Sequence, residues 1–108
     1  MSGTLDRLET TIRARKQAGD AAASHTARLL AKGPEKCAEK FGEEAIEAII
    51  EAVKGDREKL TTEAADVLYH LMVMLASRDV ALADVMAVLD ARTTRSGVEE
   101  KASRPGGG

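Results

Sequence analysis

The sequence predicts an all-α fold. No segment alternates apolar and polar residues as a half-buried strand would. Apolar residues recur instead at spacings of three and four, in runs divided by Gly, Pro, Ser and Asp. Aromatics make up only 2% of the chain, one Tyr and one Phe with no Trp, a poor composition for a β-sandwich core. With 108 residues, 44% apolar and 31% charged, the length suits about one foldable domain.

The elements follow from this punctuation. Thr4 is positioned to cap a helix whose apolar residues are Leu5, Leu8 and Ile12. Arg13, Arg15 and Lys16 near its end suit the helix dipole, and Gly19 stops it. Asp20 to Ala23 is a small-residue connector. Ser24 opens a short helix over His25 to Lys32, with Ala27, Leu30 and Ala31 on one side. At Gly33-Pro34 the Gly ends one helix and the Pro opens the next. A long helix then runs from Pro34 to Lys54, with Ile46, Ile49, Ile50 and Val53 as an apolar stripe. Gly55 is its stop and Asp56 the next N-cap. The second long helix covers about Arg57 to Ser77. Its middle, with Val67, Leu68, Leu71, Met72, Val73 and Leu75, is apolar nearly all round, as in a bundle or a dimer interface. A final helix is expected over Ala81 to Arg92, with Leu82, Val85, Met86 and Leu89 as its stripe. The domain is expected to occupy residues 1–95, followed by a polar tail over 96–108 that is mobile past Lys101.

Composition also excludes functions. A net charge of −2 and the scarcity of rings argue against a nucleic-acid binder. Cys37 is the only cysteine, so no internal disulfide forms, and with only His25 and His70 there is no zinc spacing. No apolar run is long enough to span a bilayer. The N-terminus carries no basic-then-apolar leader pattern, so a cytoplasmic location is expected. A core this small favours oligomerisation.

The chemistry lies on the two long helices. The first carries Glu43, Glu44, Glu47 and Glu51; the second carries Glu63 and Asp66, with His70 one turn on. Helix positions three apart lie about 60° apart, so Glu44 points with Glu47, and Glu63 with Asp66. A tight connector at Gly55-Asp56 makes the helices antiparallel neighbours, and the two acidic pairs are placed to face each other. Carboxylates at the margin of a core repel one another unless a cation joins them. Mg²⁺ or Mn²⁺ takes oxygen ligands, keeps positions open for phosphates, and suits phosphoryl chemistry. The competing reading is a solvated acidic face, with Glu43 and Glu44 as partners for Lys40 and Lys36.

Other residues stay open on spacing alone. His70 is either a partly buried ring bonded to a carboxylate or a substrate contact. Lys36 and Lys40 are either surface partners or phosphate contacts. Tyr69 and the methionines read as packing.

Lys40-Phe-Gly-Glu-Glu-Ala-Ile-Glu47, followed by Glu63-Ala-Ala-Asp-Val-Leu-Tyr-His70, resembles the phosphoribosyl-ATP pyrophosphatase family of histidine biosynthesis. That family belongs to the all-α, MazG-like pyrophosphohydrolases, whose signature is Glu-Glu-x-x-Glu, a gap, then Glu-x-x-Asp. Two further segments narrow the resemblance. One is Ser24-His-Thr-Ala-Arg-Leu-Leu-Ala-Lys-Gly33, where His25 stands in place of the usual aromatic, so no stacking role is carried over. The other is Ser96-Gly-Val-Glu-Glu-Lys-Ala-Ser-Arg104. The similarity runs from about Leu5 to Arg104. The chain is too short to include the cyclohydrolase domain often fused to this activity, which implies the stand-alone form.

The resemblance implies a MazG-like helical bundle completed by homodimerisation. It also implies Mg²⁺-dependent hydrolysis of phosphoribosyl-ATP to phosphoribosyl-AMP and pyrophosphate, by attack of water at the α–β phosphoanhydride. On the residue match Glu44, Glu47, Glu63 and Asp66 are the implied metal ligands. Glu43, with Glu44 and Glu47, belongs to the implied catalytic set, orienting or activating water or completing the cluster. Lys36, Lys40, His70, Lys101 and Arg104 are candidate substrate contacts. Two rival functions compete with this reading. One is a pyrophosphatase for ordinary or damaged nucleoside triphosphates, which the acidic motif also suits. The other is a non-catalytic helical dimer, which should gain no thermal stability from Mg²⁺ or Mn²⁺.

Overall fold

A computed structural model of the chain describes residues 3–20 and 24–93. It contains five helices: α1 (Thr4–Ala18), α2 (His25–Ala31), α3 (Pro34–Lys54), α4 (Arg57–Ser77) and α5 (Leu82–Thr93). No strand occurs among the described residues. The all-α expectation therefore holds, and the helix boundaries fall within a residue or two of those expected. The 96–108 tail, with Lys101 and Arg104, lies outside the described residues, as does most of the connector before Ser24.

The helix ends explain the boundaries. Thr4, expected as the first cap, is the first residue inside α1; Gly3 is the N-cap, and its N–H donates to Asp6 Oδ2 at 3.1 Å. Ser24 Oγ accepts from the Ala27 N–H at 3.2 Å and Asp56 Oδ1 from the Lys59 N–H at 3.0 Å, both ordinary side-chain caps. Gly55 ends α3 in the left-handed region at φ 79°, where a Cβ would be strained. Pro34 opens α3 where its missing N–H has no helical partner to lose.

Helices α3 and α4 form an antiparallel hairpin, the most extensive contact in the fold. Helix α1 packs on α2 and α4, and α2 also touches α3 and α4. The core sits at the open end of the hairpin. It joins Ile12, Leu29, Cys37, Met72, Val73, Ala76 and Leu82, with Leu5, Leu8, Leu30, Tyr69, Met74 and Leu75 packed against it. Helix α1 also ties down the α4–α5 turn. Lys16 Nζ donates to Ala76 O and to Asp79 Oδ1, each at 2.7 Å. Glu9 Oε2 accepts the Leu82 N–H at 2.7 Å, satisfying an otherwise orphaned donor at the start of α5.

Toward its Gly55 turn the hairpin extends beyond this core as an arm. There the α3 stripe runs against expectation: Ile46, Ile49, Ile50 and Val53 are 59%, 60%, 48% and 84% exposed. Helix periodicity explains the reversal. Glu44, Glu47 and Glu51 share a face centred about 140° from the centre of the Ile stripe, with Glu47 bordering the stripe about 60° from Ile50. The acidic face is the one turned to α4. The middle of α4 is buried at Met72 and Val73, while Leu68 remains 43% exposed. No described helix is long and apolar enough to cross a membrane.

Candidate active site

The hairpin brings the two acidic pairs together. Glu44 of α3 and Glu63 and Asp66 of α4 each offer a carboxylate oxygen, and the three atoms lie within 4.8 Å of one another. Oxygens on opposite sides of an octahedral Mg²⁺ are separated by about 4 Å, so the cluster is on the scale of one ion's coordination sphere. Glu47 lies outside that tightest trio, yet its carboxyl is in hydrogen-bonding reach of both Glu44 and Glu63. The four residues therefore form one patch.

Its electrostatics are those of like charges held together. Burial, with the Glu47 carboxyl and the charges of Asp66 and Glu63, pushes Glu44 up to about 7. Glu63 is raised in the same sense, by burial first and then by Glu47 and Asp66. Nearby cations are engaged at the edge. Lys40 pairs with Glu43 at 3.5 Å, as the helical spacing anticipated, and Lys54 lies 3.7 Å from Glu51. Lys36 pairs with Glu39 one turn away at 3.1 Å, and Glu44, two turns from Lys36 along α3, joins the cluster instead. Both Lys36 and Lys40 thus have carboxylate partners of their own on α3.

One atom tests the fit to a divalent cation. Glu63 Oε2 is sealed from solvent and has no hydrogen-bond donor. A carboxylate oxygen in that state is costly unless protonated or bound to a cation. All-oxygen donors from carboxylates suit Mg²⁺ or Mn²⁺. Glu44, Glu63 and Asp66 would hold the ion, with Glu47 beside them.

His70 stands one turn beyond Asp66 on α4 and is 8% exposed. Its Nδ1 is sealed and unpartnered, which disfavours the expectation of a ring bonded to a carboxylate through that atom. Its ring meets Tyr69 edge-on, with centroids 4.9 Å apart. Tyr69, read from sequence as packing alone, also pairs its hydroxyl with Thr26 Oγ1 at 2.5 Å, tying α2 to α4. Glu51 has no assigned role in the sequence reading. It lies one turn beyond Glu47, with Oε1 sealed and no partner within hydrogen-bond distance. With Glu63 it lines a depression at the hairpin turn. Its spacing of four from Glu47 is the signal that places it there. Cys37 is a buried core residue whose Sγ donates to Leu29 O at 3.4 Å.

Known proteins resemble this chain over most of its length. The family described as phosphoribosyl-ATP pyrophosphohydrolase matches residues 5–93. The chain is 75% identical over 100 residues to the phosphoribosyl-ATP pyrophosphatase of Dinoroseobacter shibae, covering 93% of this chain and 97% of that protein. It is 73% identical over 100 residues to that of Paracoccus denitrificans, covering 93% and 92% respectively. For the Cereibacter sphaeroides ATCC 17029 protein of the same name the identity is 71%, covering 93% and 96%. The acidic cluster on α3 and α4 falls within the matched span, and the chain belongs to the phosphoribosyl-ATP pyrophosphohydrolase family.

Proposed function

We propose that the chain hydrolyses phosphoribosyl-ATP to phosphoribosyl-AMP and pyrophosphate in the cytoplasm, as a step of histidine biosynthesis. The convergence of Glu44, Glu63 and Asp66 within 4.8 Å, in a chain of this family, is the observation that carries it. A divalent cation there, Mg²⁺ or Mn²⁺, would neutralise phosphate charge and lower the pKa of a bound water. The chain's residues have separable tasks. Glu44, Glu47, Glu63 and Asp66 would hold the cation through their carboxylates. Glu43, exposed and paired with Lys40, stands at the rim, where it can orient the attacking water. Lys36, Lys40 and His70, with Lys101 and Arg104 of the tail, are assigned to the substrate.

The proposed functional unit is a homodimer. The Ile46, Ile49, Ile50 and Val53 stripe, with Leu68 exposed on α4, is an apolar surface that a second copy would cover. Light scattering on a size-exclusion column tests this, and a single-protomer mass would remove it.

Pyrophosphate release from phosphoribosyl-ATP with Mg²⁺, run beside ATP and dUTP, tests the activity. Rapid release from phosphoribosyl-ATP alone supports the proposal. Release from ATP or dUTP instead would keep the cation site and overturn the substrate. Silence on all three from folded protein would favour a non-catalytic helical module.

A further inference from the structure

The most deeply buried polar side chain near the acidic cluster is His70, and its two nitrogens are not equivalent. Nδ1 is sealed with no partner, and Nε2 is the ring's other polar atom. Buried N–H groups without an acceptor are rarer in folded proteins than acceptors short of a donor. The proton therefore belongs on Nε2, and the ring is a donor at that atom.

The surroundings agree with a neutral ring. Burial first, then the neighbouring His25, and further off Lys40, lower the His70 pKa, against opposing pulls from Asp66 and Glu43. These groups come from α2, α3 and α4. Tyr69 braces the ring edge-on and is itself held by Thr26. Asp66 and His70 are one turn apart on α4, a rise of about 6 Å. A side chain one turn from Asp66 shares its face of α4, the face that carries the acidic cluster. A neutral donor suits this place, since it contacts phosphate without pairing with the carboxylates.

We propose that His70 is a substrate-contact residue whose Nε2–H donates a hydrogen bond to a non-bridging oxygen of the phosphate chain held at the acidic cluster. The inference rests on the proposed phosphoanhydride chemistry and adds a specific donor atom to it.

The experiment compares the full-length wild type with His70→Leu and His70→Gln. Gln places its amide N–H₂ close to where Nε2 lies, whereas Leu keeps bulk without a donor. Three readouts are needed: KM and kcat for phosphoribosyl-ATP, Mg²⁺-pyrophosphate affinity by calorimetry, and side-chain ¹⁵N NMR of the wild type. In the NMR spectrum His70 should be the Nε2–H tautomer at neutral pH, with Nε2 moving on addition of Mg²⁺-pyrophosphate. Loss of one charge-assisted hydrogen bond should weaken both pyrophosphate affinity and KM in His70→Leu by about 10- to 100-fold. His70→Gln should recover a large part of that loss.

An Nδ1–H tautomer, or an Nε2 signal unmoved by pyrophosphate, overturns the proposal. So does a KM effect without any change in pyrophosphate affinity, which would put the donor on ribose or base. Equal losses in Leu and Gln that follow a lowered melting temperature would leave His70 a packing residue only. If the wild type fails to turn over phosphoribosyl-ATP, the proposed function falls, and the pyrophosphate titration with NMR still decides His70.

Discussion

Cys37 near the start of α3 and Val73 in the second half of α4 are 1% and 0% exposed, whereas Ile49 and Val53, further along α3, are 60% and 84% exposed. One hairpin therefore has two differently built ends. At the core end α1 and α2 cover it, and apolar side chains interdigitate as in an ordinary domain interior. Along the arm the facing surfaces carry carboxylates, and the apolar stripe points away. The core end supplies stability. The arm holds together like charges that would separate if the helices were free, so the site depends on a scaffold anchored elsewhere. The difference teaches that an amphipathic helix need not bury its apolar face within its own chain.

The largest effect expected lies on the arm. Glu47→Gln should lower turnover of phosphoribosyl-ATP by about 10²–10³-fold, the scale for losing one well-placed electrostatic group. Its helical circular dichroism should be intact, because Glu47 is exposed and anchors no core contact. Activity at the wild-type level would remove Glu47 from the site and confine the cluster to Glu44, Glu63 and Asp66.

The core end should answer in the opposite way. Ile12 is 1% exposed and joins α1 to the core. Ile12→Ala should cost about 2–5 kcal/mol in denaturant unfolding, with kcat per folded molecule preserved at low temperature. A rate loss on the scale of Glu47→Gln in fully folded Ile12→Ala would break the division of labour between the two ends.

Next comes the stripe. Replacing Ile49 and Ile50 with Ser removes apolar area that is solvent-exposed in one chain, where such changes cost about 0.5 kcal/mol or less each. The pair should therefore shift the molecule to a single-protomer mass in light scattering. An unchanged mass would place the dimer contact on another surface.

The smallest effect is a pH dependence. Glu44 rises from its ordinary 4.5 to about 7 on folding, and Glu63 moves in the same direction. The folded state thus holds protons that the unfolded state has already released. Without divalent cation, stability should fall as pH rises from about 4.5 through about 7, then level off as both states become ionised. Partial exposure of Glu44 to solvent keeps the change modest. Mg²⁺ should flatten the fall by satisfying the ionised carboxylates. Melting curves in chelator and in Mg²⁺, taken across that range, would reverse the sign of the argument if stability rose instead.

The chain's own residues determined a good deal. Gly19, Ser24, Gly33-Pro34 and Gly55-Asp56 mark the helix ends because turns and caps depend on local backbone chemistry. The spacing of three between Glu44 and Glu47 and between Glu63 and Asp66 placed each pair on one face, because helix periodicity is local too. Local spacing was silent on which face meets which neighbour. It marked Ile46, Ile49, Ile50 and Val53 as one stripe, and only packing decided that α3 would turn its acids, not its isoleucines, toward α4. It left His70 open, and only the folded chain buried its Nδ1 without a partner. Caps and periodicity are interactions between residues a few positions apart. The orientation of a face and the burial of a ring nitrogen depend on side chains distant in sequence, so tertiary structure alone decides them.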